Sequence, residues 1–137
     1  MSRSASLALR KAIYQALIKD PLLQEKIGTT AIYDEAPGRM DPPYIAFGPV
    51  IARDWSTSQE AGEEHEVILH CWSMQPGTSH VLDLAAQVIR ICQAATFQLE
   101  SHHLVLMTYL GTETRRDNKG RYALAAVRFR ALTEALT

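Results

Sequence analysis

Glu64-His65-Glu66-Val67-Ile68-Leu69-His70-Cys71-Trp72-Ser73 is the stretch on which the fold turns. Val67, Leu69 and Cys71 recur at every second position and share one face of an extended chain, while Glu66, Ile68, His70 and Trp72 share the other. A strand with apolar residues on both faces belongs in the middle of a sheet. One face meets a core, and the mixed face is only half satisfied by water, which predicts a further covering. Downstream, Pro76-Gly77 predicts a turn and Ser79 a helix cap. The helix then runs from Val81 to Ala95, with Val81, Leu84, Ala85, Val88, Ile89, Cys92 and Ala95 facing the core and Asp83, Gln87 and Arg90 opposite.

Upstream, Ala5, Leu9, Ala12, Ile13, Ala16 and Leu17 repeat at helical spacing between Ser4 and Lys19, with Arg3, Arg10, Lys11 and Lys19 on the far side. Asp20-Pro21 opens a short second helical segment through Leu22, Leu23 and Ile27 that Gly28 stops. Ile32-Tyr33 is a brief β-prone piece, and Glu35 to Pro43, with Arg39 and Met40 inside it, is a loop. Tyr44 to Ala52 has the content of a strand reaching toward Trp55, bent or bulged at Gly48-Pro49 because proline lacks a donor. A polar loop follows up to Glu64. His103 to Gly111 and Tyr122 to Leu132 are two further β runs, with Asp117-Asn118-Lys119-Gly120 as the hairpin tip. The expected fold is α+β: a mainly antiparallel sheet of about four strands, two principal helices packed on one face, and a long hairpin loop, in one domain spanning residues 1–137.

The 137 residues are 47% hydrophobic, enough for a sizeable core without staples. Fourteen basic against fifteen acidic side chains leave a net charge of −1, so no phosphate-neutralising surplus supports nucleic-acid gripping. Cys71 and Cys92 fall on apolar faces, as buried hydrophobes in a reducing compartment do. No signal-peptide block and no membrane-spanning run is expected.

Candidate chemistry is sparse. His102 and His103 are neighbours in a strand and point to opposite faces, so they do not share a metal ion, and His70-Cys71 has the same defect as a nucleophilic pair. No phosphate loop, nucleophile elbow or His-Glu-x-x-His segment occurs. Glu60, Glu63, Glu64 and Glu66 lack the spacing of a calcium loop and are expected to form a solvated rim. Trp55 and Trp72 weigh as core or corner packing against interface anchors. No catalytic, cofactor-binding or metal-binding residue is expected, and no cofactor.

The chain resembles the tail-completion, or tail-terminator, proteins of long-tailed bacteriophages, prophages and gene transfer agents. The resemblance is carried by Leu9 to Leu17, Asp20-Pro21-Leu22-Leu23, Ile32-Tyr33-Asp34-Glu35-Ala36-Pro37, Pro43-Tyr44-Ile45-Ala46-Phe47-Gly48, His70-Cys71-Trp72-Ser73 and Arg128-Phe129-Arg130-Ala131-Leu132-Thr133-Glu134. It implies a structural virion protein, not an enzyme, that forms a ring, hexameric in the family, at the head-proximal end of the tail tube. Its implied partners are copies of itself, the tail tube protein and a head-side stopper or connector, with DNA passing through the centre unbound and no membrane. The implied place is the head-tail junction of a particle assembled in the bacterial cytoplasm. On that basis Tyr44, Ile68 and Trp72 are expected at a subunit interface, facing Arg128 and Arg130 of the neighbour, and Glu60, Glu63, Glu64 and Glu66 on a channel-facing loop. Two alternatives stay open: a head-side stopper or tube-like ring subunit, and a small ligand-binding or enzymatic domain with the Pro37 to Pro43 loop as a lid over His70 and His102.

Overall fold

The computed structural model describes residues 4–27, 31–38, 41–94 and 96–136. Helix α1 covers Ala5–Lys19, and Ser4 caps it by accepting from the Leu7 N–H at 3.1 Å. Helix α2, Pro21–Ile27, starts with proline at the first helical position, where no donor is needed, and the Asp20 carboxylate accepts from the Leu23 N–H at 3.0 Å. Helix α3 covers Ser79–Ala94, so Ser79 is its first residue and not its cap. The expected roles of Arg3, Gly28, Arg39, Met40 and Ala95 lie outside the described residues. Two ion pairs clasp α2 to α3: Lys26 to Asp83 at 2.6 Å and Arg90 to Asp20 at 2.7 Å.

Six strands form one mixed sheet: β1 Ile32–Tyr33, β2 Tyr44–Phe47, β3 Ile51–Asp54, β4 Gly62–Ser73, β5 His102–Arg116 and β6 Ala123–Ala135. Their order is β1-β2-β4-β6-β5, with β3 also paired to β4. Only the β1–β2 pairing is parallel. The sequence expectation of about four strands and two helices is thereby corrected to six and three. Two residues of β1 are too few to show a period, and the Tyr44 to Trp55 run splits in two at Gly48 to Val50. Both halves still pair with the same long β4. The split is close-packed: the Gly48 N–H donates to the Ile68 carbonyl at 2.7 Å, and a Cβ on Gly48 would stand 3.0 Å from that of Ile68.

The hairpin loop is also shorter than expected. Because β4 begins at Gly62, Glu63, Glu64 and Glu66 are strand residues, and of the four glutamates only Glu60 belongs to the loop. At the other hairpin the Asp117 to Gly120 tip is as expected, with Gly120 at φ +68° and its N–H on the Asp117 carbonyl at 2.9 Å.

The helices all pack on one sheet face. Leu9, Ile13 and Leu17 of α1, Leu23 of α2, and Val81, Leu84 and Val88 of α3 form one cluster with Ile45, Leu69, Cys71, Ala125, Val127, Phe129 and Ala131 of the strands. Leu124, Ala126, Leu132 and Ile68, on the opposite face, are not part of that cluster. Arg10, placed on the solvent side by periodicity, in fact ties α1 to the sheet. Its guanidinium lies 4.6 Å over the Phe47 ring and donates to the Gly48 carbonyl at 3.0 Å and the Asp34 carboxylate at 2.7 Å. Cys71 and Cys92 are free and buried, and burial pushes both thiols up to about 12.

Candidate functional site

The face without helices carries a ladder of paired charges. Because cross-strand partners share a face, the β4–β6 register sets Glu64, Glu66, Ile68, His70 and Trp72 beside Leu132, Arg130, Arg128, Ala126 and Leu124. Arg128 reaches diagonally to Glu66 at 2.8 Å, and Arg130 to Glu64 at 2.5 Å. Arg53 of β3 approaches Glu64 at 3.8 Å. Two glutamates thus stand among three arginines along this face, each glutamate paired within its own chain.

This register also places the residues expected at a subunit interface. Tyr44 and Ile68 are 6% and 7% exposed and offer little surface to a second copy. Arg128 stands beside Ile68 in the same sheet, and both arginines are engaged by glutamates of their own chain. Trp72 is half-buried against Tyr44, ring centroids 6.2 Å apart, and Tyr44 in turn meets Tyr33 edge-on at 5.8 Å. The Trp72 Nε1 donor is buried and lacks an acceptor among the described residues.

The four glutamates do not form one group. Glu64 and Glu66 lie in the ladder, whereas Glu63 is on the helix-side face, 3.9 Å from His65. Glu60, in the loop, faces Glu134 of β6, and the second carboxylate pushes the first above the usual carboxylate range.

His65 is the polar centre that the sequence signalled least, since within an alternating strand it reads as one more core-side position. It is 3% exposed, with Nε2 2.9 Å from Thr133 Oγ1 and Nδ1 3.3 Å from Ser6 Oγ. A hydroxyl beside an imidazole suggests a nucleophile and its base. Here, however, the ring is buried and its other nitrogen meets a neutral hydroxyl, so the cluster joins α1, β4 and β6. Burial lowers the His65 pKa, and nearby His102 adds to that, against the opposing pull of Glu63. His70 shifts the same way, through burial and then Arg115 and Arg128. A histidine depressed in the folded state binds protons more readily when unfolded. Its stability is therefore whole above the ordinary value of 6.5 and falls as the pH drops below it. Melting temperature should decline between pH 7.5 and 5, and His65→Gln should flatten part of that slope. Equal melting temperatures at the two pH values would contradict this reading of the cluster.

Among the described residues no group of three or more His, Cys, Asp or Glu side chains is placed to hold a metal ion. His70 and His102 pair with Ala126 and Ala135, nine positions apart on β6 and so separated by roughly 30 Å, which removes the pocket that a lid could close over both. No described helix is long and apolar enough to cross a membrane.

The model of the family described as Tail completion protein gp17 matches residues 11–134. A chain from the structure titled "Virion of native gene transfer agent (GTA) particle" is 30% identical with a TM-score of 0.88, covering 98% of this chain and 100% of that one. The bacteriophage SPP1 gp17 protein is 19% identical with a TM-score of 0.60, over 97% of this chain and 91% of that one, and shares the fold. No curated protein matches the chain in sequence.

Proposed function

The chain belongs to the Tail completion protein gp17 family, and from that membership we propose that it closes the head-proximal end of a tail tube as a ring, joins it to a head-side connector and leaves a central opening for DNA. It is a structural virion protein, not an enzyme. The observation that supports the finer reading is the likeness to a chain of a gene transfer agent virion, which runs over 98% of this chain and 100% of that one. The division of the sheet supports it. One face is closed by three helices, and on the other Arg128 and Arg130 are engaged by glutamates of their own chain, which suits a passage wall that must let polyanionic DNA slide without gripping it.

In this proposal residues 1–137 act as one unit and the open face lines the passage. Trp72, Arg128 and Arg130 supply its accessible side chains over a buried floor of Tyr44 and Ile68. Glu64 and Glu66 belong to that lining through their arginines, and Glu60 and Glu63 to the rim at its end. Ring number is a matter of how the subunit edges meet; six is the expectation carried by the family resemblance.

Removing the gene tests the reading. A strain that makes the particle but lacks this chain should accumulate filled heads and unattached tails, seen by electron microscopy and restored by supplying the chain in trans. Joined, DNA-delivering particles in its absence would overturn the proposal.

A further inference from the structure

We propose that neighbouring copies of this chain join by adding the outer edge of β5 in one copy to the outer edge of β3 in the next, continuing the sheet around the opening. This rests on the ring reading and specifies its contact.

The sheet ends in β5 on one side and in β1 and β3 on the other; β1 pairs with β2, and neither β5 nor β3 has an outer neighbour among the described strands. A closed ring of identical subunits needs two different complementary patches, and these two edges differ. Their directions also agree. β4 and β5 both run antiparallel to β6 and so run the same way, whereas β3 is antiparallel to β4. A copy rotated about an axis along the strands, without being flipped, therefore sets its β3 antiparallel to this β5, the favoured ladder. Every helix layer then stays on the outer side and every charge ladder on the inner side.

The two edges lie level. Following partners across the sheet, Ile51 connects through Glu66 and Arg130 to Thr108, Ala52 through His65 and Ala131 to Met107, and Arg53 through Glu64 and Leu132 to Leu106. Rotation alone thus brings the open residues together. The regular segment between the two bulges of β5, Leu106 to Tyr109, has the same four-residue length as β3. The bulged residues are Val105 and Leu110, 43% and 55% exposed, beside Leu106 at 42%, and β3 is flanked by the exposed Val50 and Trp55. Lysine and proline, two common means of blunting an exposed edge strand, are absent from His102–Arg116, and the bulges that interrupt the strand leave Leu106 to Tyr109 regular. An open regular segment facing a second open strand of the same length at the same height is the pattern of a built contact.

Cysteine pairs test it in assembled particles. Arg53→Cys with Leu106→Cys, and Arg53→Cys with Thr108→Cys, place both thiols on the inner face within one register step. Within a single chain these positions lie three strand spacings apart, roughly 14 Å, beyond disulfide reach. Cys71 and Cys92 are buried and stay silent. Mild oxidation should convert the subunit into a ladder of multiples of 15.3 kDa on a non-reducing gel, with no ladder from any single-cysteine variant. Subunit present in the particle but uncrosslinked in both pairs overturns the edge contact while the ring reading stands, as does crosslinking to a different virion chain. Subunit absent from unsubstituted particles removes the ring reading and this inference together. If a cysteine pair blocks assembly, Leu106→Lys with Leu110→Lys provides the second arm. Both positions are exposed, so melting should match the parent while incorporation into particles falls roughly tenfold or more. Undiminished incorporation of that variant overturns the inference as well.

Discussion

Phe129→Ala should lower the unfolding free energy by about 3–5 kcal/mol, enough to remove a large share of the roughly 5–15 kcal/mol that holds a domain of this size together. Phe129 has no exposed surface, stands mid-strand in β6 between Val67 of β4 and Tyr109 of β5, and meets the Tyr109 ring at 5.9 Å. Truncation leaves a void beneath the helices that close packing on both sides cannot collapse to fill. Its neighbours give the control. Arg128 points to the opposite, open face, and Arg128→Ala breaks a half-exposed ion pair worth about 0–1 kcal/mol. Denaturant titration of the two variants should therefore differ severalfold in lost stability. Similar midpoints would mean that the helix-side core is not organised around β6.

Glu64→Lys with Glu66→Lys should cost about 1–3 kcal/mol, whereas Glu60→Lys with Glu63→Lys should leave the melting temperature close to the parent. The first pair replaces both acids of the ladder. It sets one lysine directly opposite Arg130 and diagonal to Arg128, and another directly opposite Arg53 and diagonal to Arg130, so three attractions become repulsions. The second pair lies at the rim, where Glu60 already opposes Glu134, and a lysine at position 60 relieves that repulsion. Adding Arg128→Glu and Arg130→Glu to the first pair restores opposite charges across the strands and should recover most of the loss, which a mere surface effect would not do. In particles the rim variant carries the functional question. With folding intact, new positive charge at the opening should retard DNA delivery, and delivery at the parent rate would take the rim away from the passage.

Local rules explain why so much was legible beforehand. The period of α1, the Asp20-Pro21 restart, the alternation through Val67, Leu69 and Cys71 and the Asp117 to Gly120 tip each depend on residues within a few positions of one another. The family resemblance depended on the order of such local pieces, and the match over residues 11–134 bears it out. The charged ladder did not yield to the same reading. The pairing of Glu64 and Glu66 with Arg130 and Arg128 was not legible, because it spans more than sixty positions of chain.

What the sequence determined by itself is the α+β class, the core-facing side of β4 and α3 and membership of a structural virion family, since periodicity and turn chemistry are written in neighbouring residues. Which strands meet, and at what register, was decided only in the tertiary structure. That choice pairs Glu64 with Arg130 and Glu66 with Arg128, sets Glu63 beside a buried histidine and leaves Glu60 in the loop. It also leaves β3 and β5 without outer neighbours among the described strands, because hydrogen-bonded pairing between distant segments is settled by packing of the whole sheet and not by any one strand.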